Sequence, residues 1–160
     1  DPSGRGVMIK LTGKEAQRYI THELKDMKAK AYEITDASDK KIQEHNDKVM
    51  SNGKKFTESE AKQYDSKQNK YGTSSDARVV DQYDLLGNNC ATKTVEAAKA
   101  GGTSEDFINN SGPVAPDIPN LQSETTSPAS LDEYLNTQSQ QQNTNVKDVT
   151  EEKKKETGAN

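Results

Sequence analysis

The chain has 160 residues, 29% of them apolar and 30% charged, with two Phe, no Trp and a formal net charge of -4. So few apolar residues exclude one large core running the whole length; they point to a compact part joined to segments that stay unfolded. The mildly acidic balance, with Lys dispersed along the chain, argues against DNA, RNA or an anionic membrane as partner.

VMIKL, Val7 to Leu11, reads as a short strand. Thr12 followed three residues later by Glu15 is a capping-box signature with Thr12 as N-cap. Ala16, Tyr19, Ile20, Leu24 and Met27 then recur at helical spacing, which predicts a helix over 14–27. Lys28 to Thr35 is a second strand candidate through Ala31, Tyr32 and Ile34. Asp36 can cap the next helix, in which Ile42, His45 and Val49 share a face. Residues 50–77 are polar and read as an insertion or loop. Within them Thr57 and Glu60 form a second capping-box signature ahead of Ala61 and Tyr64.

Val79, Val80, Tyr83, Leu85 and Leu86 restore the apolar density. A helix is predicted from Cys90 to Ala100, with Ala91, Val95 and Ala98 on one face and Gly101 and Gly102 as its stop. The prolines of SGPVAPDIPNLQSETTSP exclude regular structure. A short helix fits around Leu131 to Leu135. From Gln138 the Gln/Asn/Thr run and EEKKKE read as a disordered tail. No apolar stretch reaches the ~18 residues of a membrane span. Only two strands are identifiable before the central helix, which is marginal for a sheet. Further strands come either from the polar middle or from upstream of Asp1.

The chemistry concentrates in GNNCATKT. Cys90, the chain's one cysteine, excludes an internal disulfide and a thiolate zinc cluster. Gly87 permits an abrupt turn, and Asn88 or Asn89 can cap the helix that follows. Cys90 then falls in the first turn, where the positive end of the helix dipole and the N–H groups favour thiolate over thiol. The same groups can receive the developing oxyanion of an acyl transfer.

The run YDLLGNNCATKTVEAAKAGG resembles the nucleophile segment of the circularly permuted papain-like cysteine hydrolases, the NlpC-type, PPPDE and LRAT-like families. Tyr83, Asn89, Cys90, Val95 and Gly101 match its pattern. The preceding strand–helix–strand–helix order is also similar, as is the later PDIPN, to bacterial secreted or toxin-associated members. The resemblance covers residues 7 to 120. It implies an α+β papain-like domain over 1–120, with few strands, dominant helices and the 50–77 insertion, then a linker and tail over 121–160. It also implies a mechanism in which Cys90 attacks a carbonyl to form a thioester and a His acts as base and then acid. That chemistry needs no metal or organic cofactor. The implied substrate is a peptide, peptidoglycan or protein. For a secreted or delivered toxin, a cognate immunity protein is the implied partner. Tyr83, Asn88 and Asn89 would support the nucleophile.

The base is the missing half. In permuted members the His precedes the Cys, commonly as Gly-His on an early strand. This chain has His22, in THELKDM beside the apolar stripe, and His45, in IQEHNDKV. Each also reads as an ordinary helix histidine. Two explanations stay open. The strands that carry the His lie upstream of Asp1, or the domain is complete and either inactive or reliant on His22 or His45. The opening DPSGRG resembles the Asp-Pro-x-Gly-Arg that closes Rhs-type core repeats before a toxin domain, which favours an internal His. It reads equally as a polar turn. Asp117 could orient a His but sits among prolines. Asp76, Asp81 and Asp84 match no calcium loop, and the P-loop spacing is absent. A non-catalytic interaction module, or an inactive hydrolase remnant, is the alternative that the polar composition allows.

Overall fold

The computed structural model describes residues 5–26, 28–67, 72–82, 90–104 and 128–159. In chain order the elements are β1 (Arg5–Ile9), α1 (Gly13–Lys25), β2 (Tyr32–Ile34), α2 (Asp39–Ser51), α3 (Glu58–Lys67), β3 (Ala77–Gln82), α4 (Cys90–Ala100), α5 (Pro128–Ser139), β4 (Val146–Asp148) and α6 (Thr150–Thr157). The class is α+β and helix-dominant, as expected; among the described residues the strands form two small antiparallel sheets, β1–β3 and β2–β4. The chain divides into two compact units. One comprises Asp1–Ala31, Met50–Asp81 and Val149–Asn160; the other comprises Tyr32–Val49 and Gln82–Asp148.

In the first unit, β1 pairs with β3, and Lys54 bridges to Val79 on β3. The bridge exchanges two backbone hydrogen bonds, Lys54 N to Val79 O at 2.9 Å and Val79 N to Lys54 O at 2.8 Å. Gly53 allows this approach: a Cβ there would meet Arg78 Cβ at 2.9 Å. Ala77 opens β3 fully buried. The expected polar insertion is therefore partly regular, contributing a bridge and a helix. The α3 capping box forms as its signature predicts. Thr57 N donates to Glu60 Oε1 at 3.0 Å, and Glu60 N donates to Thr57 Oγ1 at 3.3 Å.

The earlier signature behaves differently. Thr12 is extended at the N-cap of α1, but its side chain makes no cap hydrogen bond. Glu15 instead pairs with Arg18 at 3.0 Å. Gly13 takes φ +55, so the backbone joining Thr12 to the helix is left-handed there, unlike an ordinary helix start. The helix ends at Lys25; Met27 lies outside the described residues. Leu24 is its buried residue. α6 packs against α1, with Thr21 Oγ1 donating to Thr157 O at 3.2 Å. Val149 N donates to Ala31 O at 2.9 Å, and Ala31 N donates to Thr150 Oγ1 at 3.0 Å.

In the second unit, β2 and β4 run antiparallel with Tyr32 opposite Asp148, Glu33 opposite Lys147 and Ile34 opposite Val146. α4 buries Ala91, Thr92, Val95 and Ala98. Ala91 and Val95 pack with Leu131 and Leu135 of α5, and Ala98 packs with Val146, Tyr32, Ile34, Tyr134 and Leu135. Burial of a Val or Leu side chain contributes about 1.5–3 kcal/mol. α4 ends as Gly101 and Gly102 predict. Gly102 takes φ +93. Its N–H donates to Lys99 O at 3.0 Å, and Thr103 N donates to Ala98 O at 3.1 Å, the paired bonds of a Schellman stop. Gly101 also lies where a Cβ would meet Ile42 Cγ1 at 2.7 Å.

The expected disordered tail is not what the structure holds. Residues 128–159 form a helix, a strand and a helix. Their few apolar residues are well spent: Leu131, Val146, Val149 and Ala159 are all buried. The low apolar density that suggested disorder is offset by placement, because β2 supplies the pairing that the segment lacks by itself.

Candidate functional site

Cys90 is the first residue of α4 and is exposed. The amphipathic pattern explains both facts. Ala91, Thr92 and Val95 turn one face inward, and Cys90, one residue ahead of them, projects from the other side of the first turn. A helix start of this kind places a side chain at the positive end of the dipole. Thr94 Oγ1 donates to Cys90 O at 2.8 Å, a bond back along the first turn. Tyr83, Asn88 and Asn89, expected to support and cap this turn, lie outside the described residues, as do Asp84, Asp117 and the PDIPN run.

His22 stands on α1 in the first unit, whereas Cys90 belongs to the second. The ring is held: His22 Nδ1 lies 3.0 Å from Asp26 Oδ2, one turn further along the helix. The side chain is 23% exposed, against 58% for Asp26. It borders a groove of about 630 Å³ with Lys14, Arg18 and Lys25. A carboxylate on Nδ1 fixes the ring's orientation and leaves Nε2 as the other nitrogen. His45 is partly buried on α2, within the same unit as Cys90.

The best-connected polar cluster was not foreseen. Asp36, expected to cap α2, does something else. The cap is Ser38, whose Oγ accepts from Lys41 N at 3.3 Å. Asp36 Oδ1 accepts from Thr103 Oγ1 at 2.8 Å and from Asn145 Nδ2 at 3.1 Å, and Oδ2 accepts from Ser104 N at 2.8 Å. Asn145 Nδ2 also reaches Thr103 Oγ1 at 3.1 Å. Burial pushes the Asp36 carboxyl up, but the hydrogen bonds from Thr103, Asn145 and Ser104 outweigh it and hold it below its ordinary range. The cluster ties the end of β2, the stop of α4 and the start of β4 together. Thr103 and Asn145 are 67 and 109 residues from Asp36, and no local spacing signals such a group.

Tyr32 presents the opposite situation. Its Oη is buried without a hydrogen bond. Burial raises its pKa above the ordinary value, and the nearby charges of Asp132 and Asp148 raise it further.

Among the described residues, no group of three or more His, Cys, Asp or Glu is placed to hold a metal ion, and no helix is long and apolar enough to cross a membrane. No family model matches the chain, and no match to it was found among the curated proteins or the solved structures.

Proposed function

We propose that the chain is a cysteine hydrolase or acyltransferase acting on an amide, peptide or ester bond, with Cys90 as nucleophile. The single observation that carries this reading is the exposed thiol opening α4, on a helix whose opposite face is pinned by Ala91, Thr92 and Val95. The pinned face limits how far the helix start can shift, and the dipole favours the thiolate. Cys90 Sγ attacks the carbonyl carbon, and the C=O pair becomes an oxyanion. Collapse expels an amine or alcohol that takes a proton from the base, leaving a thioester. Water or another acceptor then attacks the thioester and releases the thiol. His22 is the proposed base of this reading, and the Asp26 contact at 3.0 Å supports it by orienting the ring. A peptide, peptidoglycan or protein substrate fits this chemistry, and a cognate immunity protein is the partner to look for.

The test is alkylation of the full chain by iodoacetamide across neutral pH, with a small-molecule thiol as reference. Faster alkylation of Cys90, abolished in Cys90→Ser, is the expected outcome. Alkylation no faster than the reference, with an identical pH profile and an intact fold, rejects the nucleophile and leaves a non-catalytic interaction module.

A further inference from the structure

We draw no further inference here: the strongest candidate, the apolar groove of about 610 Å³ that Val7, Ile9 and Leu11 line with Tyr19 and Ile20 of α1 and Tyr64 of α3, carries nothing because nothing in the structure shows what covers it.

Discussion

Asp36 and Tyr32 stand a few residues apart and illustrate opposite ways of placing a polar group. Asp36 has three donors on its two oxygens, so its ionised form is favoured in the folded chain. Its pKa is lowered, so its contribution to stability is present above the unfolded value, 3.8 for an ordinary Asp, and is lost as pH falls through the folded value. Acid titration of denaturant midpoints should therefore show the wild type losing stability below about pH 4 more steeply than Asp36→Asn does. Parallel curves for the two proteins would mean the carboxylate contributes nothing in solution. Tyr32 has a buried hydroxyl with no partner, so Tyr32→Phe removes a desolvation cost without removing a bond. The variant should be as stable as the wild type or about 1 kcal/mol more stable by urea denaturation. A clear loss of stability would show that the hydroxyl is bonded in solution. The Tyr32 pKa is raised, so the stability linked to its neutral form is lost only as pH rises through the folded value, above the ordinary 10.0.

The helices show how far a local signature can be trusted. Thr12–Glu15 and Thr57–Glu60 are the same pattern, yet only the second closes into a capping box. At the first, Gly13 at φ +55 alters the turn, and Glu15 has Arg18 within reach three residues on. Thr57→Ala should therefore cost about 1 kcal/mol, and Thr12→Ala only a few tenths, in thermal or denaturant unfolding. Equal costs would contradict the difference in geometry. α4 is the element whose pattern and structure agree most closely, because its inner face and its Gly stop are both encoded within fifteen residues. There, Val95→Ala should destabilise the second unit by about 2 kcal/mol through loss of contact with Leu131 and Leu135. If Cys90 acts as proposed with His22 as base, His22→Ala should slow hydrolysis of an activated ester by about 100-fold while Cys90 alkylation by iodoacetamide still occurs. An unchanged rate would remove His22 from the proposal and leave Cys90 to be judged separately.

Neither unit is continuous in the chain. The first takes its last piece from Val149–Asn160, and the second closes with β4 against β2, more than a hundred residues apart. A sheet of two three-residue strands is marginal by itself. It persists because Ile34 and Val146 share a cluster with Ala98 and because Asn145 is bonded to Asp36. Truncation after Gln140 should therefore lower the melting temperature and reduce the helical circular dichroism by more than the loss of α6 alone. A disordered tail would instead be removed with the remaining transition unchanged.

Periodicity and caps in the sequence were enough to locate α1, α3 and α4 and to place Cys90 at the start of the last of these, because the interactions that set a helix start, face and stop lie within a few residues of one another. The same local reading missed the order in residues 128–159, the third strand and the Asp36 cluster. Those depend on which distant segment meets which. A strand of three residues, or a carboxylate sharing donors with residues far along the chain, gains its free energy from pairing across long loops, and no window of sequence contains both partners.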